Sequence, residues 1–133
     1  MRFLPIIARI LLGLVFFVFG LNGLLHFIPN PKEAPPEAAL AFVTAMMKTG
    51  YFLPLLGGTQ ALAGFLLLIN RFVPLALTLL APVIVNILAF HAFLAPTGFV
   101  PGLVVFVLEI YLAWAYRNAF RPMLAAKVTP GAN

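Results

Sequence analysis

Six side chains able to do chemistry stand within or at the ends of long apolar stretches: Asn22, His26, Gln60, Asn86, His91 and Glu109. Glu109 is the most informative. A carboxyl in the middle of an apolar span is costly and must be protonated, paired or hydrated, and such residues mark functional sites by default. The alternative is a protonated structural carboxyl that ties helices together. Asn86 and Gln60 carry amides that need partners away from water, so they are candidate partners for Glu109. His26 and His91 could make polar or proton-transfer contact with a quinone-like ligand. As a pair they could also serve as axial haem ligands. The flanking Phe27, Phe90 and Phe93 do not separate a cofactor pocket from ordinary core, and plain interfacial histidines are the leading reading. No metal site is expected, and the chain has no cysteine. That excludes a dithiol–disulfide enzyme, a cysteine nucleophile and a cysteine-ligated iron–sulfur centre.

The elements that hold these residues follow from composition. The chain has 133 residues, 64% of them hydrophobic and 8% charged, where a soluble domain is about 45–50% apolar and 25% charged. The expected fold is all-α: an integral membrane four-helix bundle with a short amphipathic surface helix between spans one and two. The spans are expected at about 5–27, 51–69, 72–94 and 100–116, within a single domain over 1–117. A basic cytoplasmic tail follows over 118–133. Pro5, Pro54, Pro74 and Pro101 each fall in the first turn of a span, where a missing N–H costs nothing. The basic start imitates a signal peptide, but no small-residue cleavage pattern follows it, so a retained first span is expected.

Position along each span sets the faces. Gly13, Gly20 and Gly23 form a small-residue stripe on span one that reads as a packing seam. On span two, Gln60 sits among Gly57, Ala61 and Gly64 and should point inward. On span three, Thr78, Pro82 and Asn86 follow an i, i+4, i+8 spacing and share one face. Pro82 frees the carbonyl of Thr78. Such a face should look at protein or water instead of lipid, and an inward direction is expected for Asn86. On span four, Gly102, Glu109, Ala113 and Tyr116 share a face. Between spans one and two, the prolines from Pro29 to Pro36 impose a loop. Ala38–Thr49 then has Phe42, Val43, Met46 and Met47 on one side and Glu37, Thr44 and Lys48 on the other. That pattern fits a helix lying on the membrane surface, either a connector or a lid.

Orientation follows from the basic residues. Arg2, Arg9, Arg71, Arg117, Arg121 and Lys127 lie at one end, and Lys32 and Lys48 at the other. Both termini are expected to be cytoplasmic, with Arg9 close enough to its end to snorkel. At about 1.5 Å per residue, Gln60, Asn86 and Glu109 then lie roughly 12–15 Å below the outer helix ends. Asn22 lies shallower, and His26 and His91 shallower still. No Lys or Arg is expected at the depth of Glu109. The six residues should thus converge on one pocket opening outward. The net charge of +5 sits at helix ends and forms no patch, so no nucleic-acid partner is expected.

Several motifs carry a resemblance. Ala8–Gly13, Phe19-Gly20, Leu56-Gly57-Gly58 and Gly64–Leu68, in this order and spacing, resemble the DoxX/DoxD family of small four-helix bacterial membrane proteins, over about residues 5 to 117. The entry Gly50–Pro54 and the segment Asn86–Leu94 are similar to one branch of it. The resemblance implies a four-helix bundle in the bacterial inner membrane and a link to quinone-coupled oxidation of sulfur compounds. Family members often place Glu near the position of Gln60 and Lys near that of Asn22 or Gly23; both charges are absent here. The expectation is a redox-associated subunit that binds a quinone-like or other small amphipathic ligand through Glu109, Asn86, Gln60, Asn22, His26 and His91. Its partners would be the lipid bilayer and a membrane or periplasmic redox protein, and it could form an oligomer. The rival is a non-catalytic membrane module that supports assembly of a partner complex. A small-solute transporter is a third reading, against which stands the lack of an evident internal repeat. No pattern in the chain names a reaction.

Overall fold

The structure, a computed structural model, describes residues 2–29 and 33–131. Lys32, counted above at the outer end, lies outside the described residues. The described residues form helices and connections, with no strand. Four long helices carry the chain: α1 (Leu4–Leu25), α3 (Phe52–Leu68), α4 (Val73–Phe93) and α5 (Phe99–Ala115). The shorter α2 (Glu37–Lys48) stands between the first two, and α6 (Arg117–Phe120) follows the last. Three of these stretches are long and apolar enough to cross a membrane, and α3 becomes a fourth if it is joined with α2.

The helix ends have local causes. Residue His26 takes the left-handed conformation at φ 53° and its N–H bonds the Asn22 carbonyl at 2.8 Å, closing α1. Asn70 does the same for α3 at φ 57°. Its N–H reaches the Leu67 carbonyl and the next N–H, of Arg71, reaches back to Leu66 at 3.1 Å. This double closure satisfies carbonyls that a helix end leaves free. It also turns the chain directly into α4. Gly50, at φ 79°, ends α2.

Helices α1 and α3 run antiparallel and almost touch backbone to backbone. A methyl group built on Gly57 would stand 2.8 Å from the Gly20 carbonyl oxygen, and one on Gly64 would stand 2.7 Å from that of Gly13. The glycine stripe on α1 is thus the packing seam its spacing predicts. One apolar core joins all four long helices, with Leu12 and Phe16 from α1, Leu67 from α3, Leu80 and Ile84 from α4, and Leu112 from α5.

Arg9 departs from expectation. It does not snorkel: it is 8% exposed and its guanidinium donates to the carbonyls of Leu67 and Leu68. The cause is the antiparallel seam, which brings the negative end of the α3 dipole, with its last carbonyls, against the second turn of α1.

The axis of α2 is bent 93° from that of α3. It therefore crosses the ends of the long helices instead of extending one of them. Ala39 is buried, Val43 and Met46 are half-buried, and Glu37 and Lys48 are exposed. The ring of Phe42 packs on Phe90 of α4 with centroids 5.7 Å apart. Thr44 is half-buried as well, so the two faces are less cleanly divided than the sequence pattern suggests. Beyond α5, residues 118–131 begin with the end of α6, whose Phe120 packs on the core, and continue exposed.

Candidate functional site

The seam between α1 and α3 opens at the end away from Arg71. The cleft there has a volume of about 650 Å3 and is lined by Asn22, His26 and Gln60 together with Leu53, Leu56 and Met47. This volume is in the range of small-molecule sites. Three elements build it. Helix α3 delivers Gln60 from the small-residue face, and Gly57 beside it lets α1 come close. Helix α1 delivers Asn22 one turn before its end. Helix α2 adds Met47, near its end, to the lining.

The polar groups in the cleft are positioned by the chain itself. The Asn22 side-chain oxygen accepts the N–H of Ile28 at 2.7 Å. That bond occupies the amide oxygen and leaves the NH2 of this cleft-lining residue as its donor. His26 owes its place to the left-handed turn that ends α1. Gln60 is half-buried and supplies both a donor and an acceptor. Chemically, this is a site for hydrogen-bonding a neutral polar head, with an apolar wall beside it.

The other three residues expected in one pocket are elsewhere. Asn86 is exposed, and its amide donates to the Pro82 carbonyl of its own helix at 3.2 Å. Thr78 is likewise exposed and donates to the Pro74 carbonyl at 2.8 Å. The whole Thr78–Pro82–Asn86 stripe faces outward. A common spacing shows only that residues share a face; the core-facing positions of α4 are Val73, Ala76, Leu77, Leu80 and Ile84, and they take the opposite side.

His91 closes the connection between α4 and α5. Its Nδ1 donates to the Ala95 carbonyl at 3.1 Å, and its ring stands edge-on to Phe90 with centroids 5.1 Å apart. The ring fills the space over Gly98, where a methyl group would overlap it. His26 and His91 therefore occupy separate settings, one at the cleft and one at this junction, which is no arrangement for two axial ligands of one haem. Replacing Gly98 by Ala should push the His91 ring off its site and cost about 1–2 kcal/mol. Thermal unfolding in detergent checks this, and an unchanged midpoint would remove the packing role given to His91.

Glu109 is buried at 6% exposure, on the face of α5 that also buries Gly102 and Leu112. Its inward direction agrees with the sequence pattern. It is not part of the cleft lining, and its Oε1 has no hydrogen-bond partner. It lies in the second half of α5. Met47, Leu53 and Leu56 were not singled out as site residues in the sequence. Their signal is position alone: they fall at the ends of α2 and α3 that meet the end of α1.

No family model, no curated protein and no solved structure matches the chain. What the site does must therefore be argued from its own residues.

Proposed function

We propose that this is a multi-pass inner-membrane protein, a four-helix bundle of the DoxX/DoxD type with both termini cytoplasmic, that binds a small amphipathic ligand in the cleft between α1 and α3. A quinone-like head group fits the chemistry best, and the protein would act as a redox-associated subunit. The observation that carries the reading is the cleft itself. The Asn22 and Gln60 amides and the His26 ring can donate to the two carbonyl oxygens of a quinone. Leu53, Leu56 and Met47 offer the apolar surface that its ring and tail require. Helix α2, lying across the helix ends, would cover the entrance through Met47. The cytoplasmic placement of the termini is supported by Arg2, Arg71, Arg117, Arg121 and Lys127, which all fall at the end away from the cleft.

The test is binding of a short-chain ubiquinone analogue to the purified protein in detergent, followed by thermal shift and by equilibrium titration. The wild type should bind. Gln60→Leu and Asn22→Leu should each weaken binding roughly 2- to 10-fold, the share of one neutral hydrogen bond. Asn86→Leu, on the outer face of α4, should leave it unchanged. No binding by the wild type, or equal binding by all variants, would sink the proposal.

A further inference from the structure

The outward stripe of α4 does not suit a lipid neighbour. Thr78, Pro82 and Asn86 are exposed, and exposed Leu75 and Ala89 fall on the same side. The Thr78 hydroxyl and one amide hydrogen of Asn86 are turned back onto their own helix. That leaves two groups with no hydrogen bond among the described residues, the Asn86 Oδ1 and its second amide hydrogen, on the same exposed stripe as the carbonyl of Thr78. Pro82 has no N–H to offer that carbonyl. Hydrocarbon offers these groups no partner, and each unsatisfied group is costly there. The small side chains of Pro82 and Ala89 flank Asn86 and allow another backbone to come close.

We infer that this face of α4 is the contact with a second copy of the chain. The inference rests on the membrane reading proposed above, not on the ligand. Copies inserted in the same orientation can be related by a two-fold axis along the membrane normal. Such an axis at α4 places Asn86 opposite Asn86 at equal depth. A carboxamide has both a donor and an acceptor. Two of them therefore satisfy each other by reciprocal N–H to oxygen bonds, and a self-complementary stripe needs no other protein. A different partner would have to bring its own polar group to that depth.

The chain has no cysteine, so one introduced thiol reports contact without background. Ala89→Cys keeps Asn86 and points from the same stripe; Leu14→Cys lies on the exposed face of α1 and is the control. Membranes are washed with alkaline carbonate and then oxidised. The expected result is a cross-linked dimer of Ala89→Cys and monomeric Leu14→Cys. In reconstituted vesicles diluted with lipid, Asn86→Leu should weaken self-association roughly 3- to 30-fold. Its outward position keeps the core intact in that variant. Protein lost in the carbonate wash overturns the membrane reading and the interface with it. Protein that is retained overturns the interface alone if Ala89→Cys stays monomeric, if both thiols cross-link equally, if Ala89→Cys is captured by a different protein, or if Asn86→Leu associates as well as the wild type.

Discussion

Gly64→Ala is expected to destabilise the protein by about 3 kcal/mol, the upper end of what overpacking costs. The added methyl would overlap the backbone nitrogen of Phe17 and lie 2.7 Å from the Gly13 oxygen. Both are main-chain atoms in the middle of α1, so no rotamer change can make room. Relief requires the two helices to separate, and separation undoes the contact between Arg9 and the end of α3 as well. Gly20→Ala should behave alike, because its methyl would meet the Ala61 backbone and the Gly57 oxygen. Gly58→Ala is the internal control. Nothing lies within 4 Å of a methyl there, so the change should be neutral or stabilising by up to about 1 kcal/mol through backbone entropy. Thermal unfolding of the three variants in one detergent decides the matter. A Gly64→Ala midpoint equal to that of Gly58→Ala would mean that α1 and α3 are not packed this closely.

This seam was legible in the sequence because its cause is local. A glycine every turn or two marks where another backbone comes close, and Gln60 inherits its direction from Gly57, Ala61 and Gly64. Helix starts were legible for the same reason, since proline in a first turn has a single inexpensive role. Asn86 was not legible. Its spacing with Pro82 and Thr78 identifies a face, but the side that face takes depends on where Leu77, Leu80 and Ile84 pack, which is a matter of the whole core. Arg9 was misread because its partners, the carbonyls at the end of α3, are far away in sequence. His91 was placed at the correct end of α4, but its bond to Ala95 depends on a turn whose shape the spacing does not encode. The cleft is the intermediate case: two of its polar residues come from one helix end, and the third comes from the facing glycine stripe. The sequence brought these three together, and with them it grouped Asn86 from its stripe, Glu109 from its helix face and His91 from its depth, none of which lines the cleft.

The remaining expectation concerns Glu109, a buried carboxyl with an oxygen that has no partner. Leaving a buried polar group unsatisfied costs about 1–3 kcal/mol. Replacing a buried polar or charged group by an apolar one of similar volume is often neutral or stabilising, provided no partner is orphaned. The structure gives Oε1 no partner to orphan, and Leu112 one turn away on α5 already belongs to the apolar core. Glu109→Leu should therefore raise stability by about 1–3 kcal/mol. Glu109→Gln keeps the volume and one acceptor but adds an NH2 that also needs partners, so it should gain little or nothing. The order of melting midpoints in detergent is expected to be Leu above wild type, with Gln near wild type. The reverse order, with the Leu variant the least stable, would mean that the carboxyl is satisfied in the membrane by a bound water, an ion or a second chain. Because Glu109 lies outside the cleft, neither variant should alter quinone-analogue binding by more than about 2-fold, within the scatter expected of distant sites. A larger loss would connect Glu109 to the ligand after all, and would return it to the site from which its position in the fold now separates it.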